Sequence, residues 1–250
     1  MKTLKDYNLE GKKVLVRVDF NVPLDDNLKV IDDSRIEGAK PTIDYIIAHG
    51  GTVILMSHLG RPKNKEDKFS LKHIVPAVEK VVGKEVKFVA DSIGPEVEKA
   101  VAELKKGDIL LLENVRYYKE EEAGDKDFAK SLADLGDFYV NDAFGTAHRA
   151  HASTAIIADY FPNDKAFGLL LEKEIGSIEK VLKDSKKPVT AVLGGSKVSS
   201  KITVIENILD KIDHMIVGGG MTFTFIKALG GNIGNSLCED DKLDLALEIL

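Results

Sequence analysis

Short continuous apolar runs alternate along the chain with stretches whose apolar positions recur every three or four residues. The runs fall at Lys13–Val18, Thr52–Ser57, Val86–Val89, Ile109–Glu113, Phe138–Val140, Val189–Leu193 and Met215–Val217 and predict strands. Unbroken apolar character, rather than strict alternation, fits strands covered on both faces of a parallel sheet. The periodic stretches predict helices. Arg35–His49 is closed by Gly50 and Gly51, and Ser199–Ile212 carries Ile202, Ile205, Ile208, Leu209 and Ile212 along one side. Met221–Leu229 and Leu243–Leu250 read the same way, and Phe167–Lys183 reads as one long helix striped by Leu170, Leu171, Ile175, Ile178 and Leu182. Strand and helix in regular alternation give an α/β fold with right-handed crossovers.

A second strand–helix series begins at Lys187–Pro188, which places a boundary near residue 170 with the long helix as connector. The predicted domains are 1–170 and 171–250. The second is small for a parallel-sheet domain and ends on an apolar helix without a stop signal, so the chain is expected to continue beyond Leu250. The charge-rich stretches Arg61–Lys72 and Lys119–Asp127 read as solvated loops.

In parallel α/β folds ligands bind beyond the carboxyl ends of the strands. There the chain carries Asp19 and Asn21, then His58 and Arg61, then Arg116, then Asp142, His148, Arg149 and His151, then Gly194–Lys197, and finally Gly218, Gly219 and Gly220. Polar residues and glycines gather at one edge of the predicted sheet. Composition narrows what that edge binds. The net charge is −6, against a general binder of nucleic acid or anionic membrane. Cys238 is the single cysteine, which excludes an internal disulfide and a cysteine-based zinc site. With no apolar run long enough to span a bilayer and no apolar signal region, the chain reads as a cytoplasmic protein.

Of the 35 basic residues only five are arginine: Arg17, Arg35, Arg61, Arg116 and Arg149. Guanidinium grips phosphate or carboxylate with two parallel bonds where lysine offers a point charge. Four of these arginines stand near strand ends with Asp19, Asn21 and His58, which suits a small polyanion such as a phosphorylated carboxylic acid; isolated structural ion pairs are the plainer alternative. The segment GGSKVSSK (194–201) offers glycines, a helix start and two lysines four apart, Lys197 and Lys201, expected on one helix face toward a polyphosphate. Surface lysines are the competing reading, and the Walker A spacing is absent. A metal on Asp142, His148 and His151 lacks a clear ligand set. No G-x-G-x-x-G and no G-x-S-x-G occurs, which disfavours a dinucleotide oxidoreductase or a serine hydrolase.

Taken in order, VRVDFNVP (16–23), DDSRI (32–36), SHLGRP (57–62), LLENVR (111–116), NDAFGTAHRAHAST (141–154), GGSKVSSK (194–201) and VGGGM (217–221) resemble the phosphoglycerate kinases, over the whole of this chain. The resemblance implies two Rossmann-like lobes with parallel sheets, the second incomplete here, in a monomeric, hinge-bending glycolytic enzyme. It also implies phosphoryl transfer between 1,3-bisphosphoglycerate and ADP, giving 3-phosphoglycerate and Mg-ATP. By resemblance Asp19 and Asn21 hold the glycerate, and His58, Arg61, Arg116 and Arg149 hold its 3-phosphate. Arg35 steadies the reacting carboxylate and the phosphoryl, and Lys197 stabilises that phosphoryl. Lys201 and Gly195 contact the nucleotide, Gly218–Gly220 line the adenine pocket, and Arg17 is structural. Mg²⁺ is expected on the nucleotide with no ligand in this chain, because the family's later Gly-Gly-Gly-Asp segment is absent. Ser200 and Ala152 depart from the Asp and Ser common in the family. The competing reading is a non-catalytic 3-phosphoglycerate-binding fragment.

Overall fold

A computed structural model describes residues 3–184 and 186–250, the side chains of residues 182–184 excepted. The chain forms two compact units, Met1–Ile175 and Gly176–Leu250.

The first unit is built on six parallel strands: β1 (Lys13–Arg17), β2 (Thr52–Met56), β3 (Lys87–Phe88), β4 (Ile109–Leu111), β5 (Phe138–Asn141) and β6 (Lys165–Phe167). Their order is β3-β4-β2-β1-β5-β6. Successive residues point to opposite faces of a strand, and here both faces are covered. Val14, Val16, Val53, Leu55, Ile109, Leu111, Phe138 and Val140 pack on one side with Ile36, Ile43 and Ile46 of α1 (Ser34–Ala48) and Val78 and Val82 of α2 (Val75–Val82). Leu15, Ile54, Met56, Leu110 and Tyr139 pack on the other, with Val97 and Val101 of α3 (Pro95–Ala102). A short α4 (Lys119–Ala123) leads into α5 (Lys126–Ala133), whose Phe128 and Leu132 complete that second layer. Burying a side chain of this size contributes about 1.5–3 kcal/mol. The unbroken apolar runs therefore mean what they should: central strands shielded twice.

Three expectations need correction here. Lys165–Phe167 forms an edge strand that periodicity did not reveal, because three half-buried residues carry no pattern of their own and gain order by pairing with β5. The following helix, α6 (Leu169–Asp184), consequently starts after Gly168, whose N–H donates to Asn141 O at 2.8 Å. Its stripe is buried only at the start: Leu171 is buried, Leu170 and Ile175 are half-buried, Ile178 is exposed, and the Leu182 side chain lies outside the described residues. The two charge-rich stretches are not merely solvated loops either. Ser70 and Leu71 are buried, and Glu121 of α4 is fully buried, because each serves as a fixed point for neighbouring chain.

The second unit holds a two-stranded parallel sheet, β7 (Thr190–Gly194) with β8 (His214–Gly218), and helices α7 (Ile202–Leu209), α8 (Met221–Ala228) and α9 (Leu243–Ile249). Val198, Ile205, Met221, Phe225 and Ala246 form its small core. Strands covered on both faces were expected, but Val192 is 72% and Ile216 55% exposed, since among the described residues nothing packs on that face.

Candidate functional site

All strands of the first sheet run the same way, so the loops after β1, β2, β4 and β5 emerge on one rim. After β1, Asp19 pairs with Arg35 from the first turn of α1 through its Nη1. Asn21, two residues on, accepts the Gly60 N–H through Oδ1 at 2.8 Å. The Gly60 carbonyl in turn accepts from Arg116 Nη1 at 2.9 Å. Asp19, Asn21, Arg35 and Arg116 are thereby joined through the loops after β1 and β2 and the turn after β4.

Arg116 sits on a single 3-10 turn, Val115–Tyr117, whose N-cap Asn114 accepts the Arg116 N–H at 3.1 Å. The Asn114 amide also donates to Leu59 O and Phe69 O, at 2.8 and 2.9 Å. Beside it, buried Glu113 accepts from Ser70 Oγ at 2.6 Å and Leu71 N at 2.8 Å. These two residues pin the whole 59–71 loop onto the end of β4. Arg116 itself is 8% exposed, and its Nη2 is buried with no hydrogen-bond partner. Its Nε lies 3.2 Å from Glu122 Oε1 without hydrogen-bond geometry. Burial first, then the charges of Arg149 and Arg17, depress its pKa against the pull of Glu122. Arg61 is exposed and shares with Arg116 a cavity of about 470 Å³ that also takes in Lys63, Lys65, Tyr117 and Glu122.

His58, after β2, is 4% exposed. Burial first, then the charges of Arg17, Arg116, Arg149 and Arg35, push its imidazole from the ordinary 6.5 down to about 2. Arg149, half-buried, follows the turn Phe144–Thr146 and donates its N–H to Thr146 O at 3.0 Å. Four of the five arginines thus act on one neutral histidine. An uncompensated buried guanidinium is costly unless an anion completes it. An anion would complete the cluster.

Asp142 does something else. Its Oδ1 accepts the Leu171 N–H of α6 at 3.1 Å, and burial raises its pKa to about 6 against bonds from Thr42 and the Leu171 and Leu170 amides. A metal on Asp142, His148 and His151 is not supported, since Asp142 faces the helix start. Among the described residues no group of three or more His, Cys, Asp or Glu side chains could hold an ion.

In the second unit Gly195 follows β7 and Gly218 ends β8. Gly219 has φ +72°, and a Cβ there would lie 2.7 Å from Gly195 O; a Cβ on Gly220 would lie 3.3 Å from Ser196 Cα. Met221 N–H donates to Gly195 O at 2.9 Å. These glycines let two loops meet backbone to backbone, while Gly218 has no such close neighbour. Lys197 is exposed in the loop and Lys201 is half-buried at the N-cap of α7, its stem alongside Gly195. They do not share a helix face as expected. The helix starts at Ile202, because Ser199, read from sequence as its beginning, donates both N–H and Oγ to Glu239, at 3.1 and 2.5 Å.

A family model described as phosphoglycerate kinase matches residues 4–250. The chain belongs to the phosphoglycerate kinase family. It is 54% identical to the phosphoglycerate kinase of Porphyromonas gingivalis over 99% of this chain and 65% of that protein. It is 56% identical to a cytosolic phosphoglycerate kinase of Nicotiana tabacum, over 99% and 62%. The solved phosphoglycerate kinase of Coxiella burnetii superposes with a TM-score of 0.84 at 42% identity, covering 99% of this chain and 62% of that one. The chain thus spans about 62–65% of the length of the curated relatives described here.

Sequence reasoning missed the residues that hold this rim in shape: Ser57, Glu113, Asn114, Glu121 and Ser153. The Glu-Asn pair directly before Arg116 was the available signal, a polar dipeptide closing a strand that is otherwise wholly apolar. Ser57 Oγ accepts the Phe20 N–H at 2.9 Å, tying the loop after β1 to the end of β2.

Proposed function

We propose that the first unit binds 3-phosphoglycerate and that the protein carries out reversible phosphoryl transfer between 1,3-bisphosphoglycerate and ADP. The observation that carries this reading is the buried, unpartnered Nη2 of Arg116, set among Arg17, Arg149 and Arg35 around a neutral His58. Such a cluster needs an anion, and the family's substrate supplies a phosphate at one end and a carboxylate at the other. Arg116, Arg149 and Arg61 would hold the 3-phosphate with His58 as a neutral donor. Asp19 and Asn21 would take the glycerate hydroxyl and carboxylate, and Arg35, already paired with Asp19, would stand at the reacting carboxylate.

In the transfer an ADP β-phosphate oxygen attacks phosphorus, the bond to the acyl oxygen breaks, and the carboxylate leaves. Such a transition state asks for alignment and charge neutralisation rather than a covalent catalyst. Lys197 would neutralise the moving phosphoryl, Lys201 and Gly195 the nucleotide phosphates, and Gly218–Gly220 would leave room for adenine. Mg²⁺ would arrive on the nucleotide. The described residues do not fit as its holders: no cluster of ligands exists, and Glu239, beside the β7–α7 loop, is engaged by Ser199. Action as a monomer, without nucleic acid or membrane, is part of the same reading. A cytoplasmic setting is proposed on the cytosolic name of the tobacco relative; among the described residues no helix is long and apolar enough to cross a membrane.

Titration calorimetry with 3-phosphoglycerate, beside a coupled ATP assay, tests the reading. The 250-residue chain should bind 3-phosphoglycerate, Arg116→Ala should weaken binding tenfold or more (a charge-assisted bond contributes roughly 1.5–3 kcal/mol), and turnover should be slight. Absence of binding overturns the proposal. Binding without any turnover, even with the remaining family segments joined to the chain, favours the non-catalytic fragment.

A further inference from the structure

Arg17 is fully buried, and among the described residues no carboxylate touches it. Its Nη1 donates to Val18 O, its Nε to Ser153 Oγ at 2.8 Å, and its Nη2 lies 3.2 Å from His58 Nδ1. Ser153 Oγ in turn donates to Glu121 Oε1 at 2.6 Å, and the Ser153 N–H donates to Glu121 Oε2 at 2.8 Å. Every direction in this chain is fixed by chemistry. Guanidinium only donates, and an ionised carboxylate only accepts. The single hydroxyl proton of Ser153 goes to Glu121, so its oxygen is left to accept from Arg17. His58 Nδ1 must then be the bare, accepting nitrogen.

We propose that Glu121, Ser153 and Arg17 form a buried positioning relay that locks His58 as the Nε2–H tautomer, making it a neutral hydrogen-bond donor to the bound anion. The anion part rests on the reading of this cleft as a 3-phosphoglycerate site; the tautomer part does not. Arg17 is then not only structural. The charges acting on the ring are those of Arg17, Arg35, Arg116 and Arg149, with Asp19 Oδ1 3.9 Å from Nδ1. Glu121 is faced in addition by His151, whose Nδ1 lies 3.9 Å from Oε1 and is buried without a hydrogen-bond partner. Were Arg17 absent, Nδ1 could carry the proton toward Asp19 and leave Nε2 a bare acceptor, turning a lone pair rather than a proton toward a phosphate. The relay excludes that state, and it does so with a carboxylate that lies one hydroxyl away from the guanidinium it balances.

The test is the nitrogen-15 long-range correlation spectrum of His58 in the 250-residue chain, assigned through His58→Gln and recorded without ligand from pH 5 to 8. The native ring should show a bare Nδ1 and a protonated Nε2 throughout. In Arg17→Met the Nδ1–H form should appear. Ser153→Ala, which removes one hydroxyl and keeps the volume nearly intact, should shift the ring the same way and serves where the buried Arg17 substitution does not fold. Calorimetric affinity for 3-phosphoglycerate should fall about tenfold in either variant, the scale of one hydrogen bond to a charged group. A protonated Nδ1 in the native chain overturns the inference, as does a folded variant that keeps the native ring pattern and is merely less stable. If the native chain fails to bind 3-phosphoglycerate, the functional reading falls, while the ligand-free spectrum still decides the relay.

Discussion

Acidification should unfold this protein partly through one histidine. His58 has an ordinary pKa of 6.5 in the unfolded chain and about 2 in the folded one, because burial and four arginines oppose its charge. A base depressed in this way is neutral in both states above pH 6.5 and costs nothing there. Below pH 6.5 the unfolded chain binds a proton that the folded chain refuses, so stability falls with pH, and the loss continues until the folded pKa is reached. Each unit corresponds to about 1.4 kcal/mol, so moving from pH 7 to pH 5 should cost about 2 kcal/mol. For a chain of this size that is roughly 4–8 °C in melting temperature. His58→Gln removes the titration while leaving every other acid and base in place. Urea titrations of both proteins at pH 5 and 7, followed by circular dichroism, therefore isolate the histidine as a difference of differences. The expected result is about 2 kcal/mol less acid sensitivity in His58→Gln. Equal sensitivity, within about 0.5 kcal/mol, would refute the argument that the arginine cluster holds this ring neutral.

The sign reverses at Asp142, whose pKa rises from 3.8 to about 6 on burial. The folded chain holds its proton longer than the unfolded one, so stability is lost as pH rises from about 4 to 6, by up to about 3 kcal/mol. Asp142→Asn should flatten that loss and melt higher than the native chain at pH 8; a lower melting point would show that the carboxylate's bonds to the α6 amides outweigh its burial. Gly219→Ala forces a Cβ to within 2.7 Å of a carbonyl at φ +72°, which should cost about 1–3 kcal/mol. Faster amide exchange confined to 176–250 would report it, and unchanged exchange would sink the close-approach argument.

What the sequence revealed and what it hid divide along physical lines. β1, β2, β4 and β5 were legible because burial on both faces keeps all but their end positions apolar or aromatic. β6 was not, since Lys-Ala-Phe is a strand only by virtue of its neighbour. The start of α7 was misread because Ser199 has a good capping chemistry that Glu239, forty residues on, takes for itself. At the rim, the arginines were visible through their scarcity; the charges of Arg35, Arg116 and Arg149 act on His58, joined by Arg17 rather than by Arg61. Glu121 and Ser153 were invisible. Their significance lies in a chain of bonds through positions 58, 17, 153 and 121, which no local pattern encodes. Arg17 was seen but read as structural, because its contact with His58 crosses between strands.

The clamp at Glu113 and Asn114 has a consequence in time. The segment from Leu59 to Leu71 takes its fixed points from partners 42 to 55 positions later in the chain. Closing spans of that length costs entropy before any bond rewards it. A nascent chain that has exposed only its first hundred residues holds Asp19, Asn21, Arg35, His58 and Arg61, and the Asn21–Gly60 bond, but lacks the Glu113 and Asn114 bonds that fix the rest of the loop between them. The rim acquires its shape only once β4 has found its place beside β2. The rim therefore cannot form ahead of the sheet, and a folding intermediate in which β4 is still unpaired would lack the shaped loop.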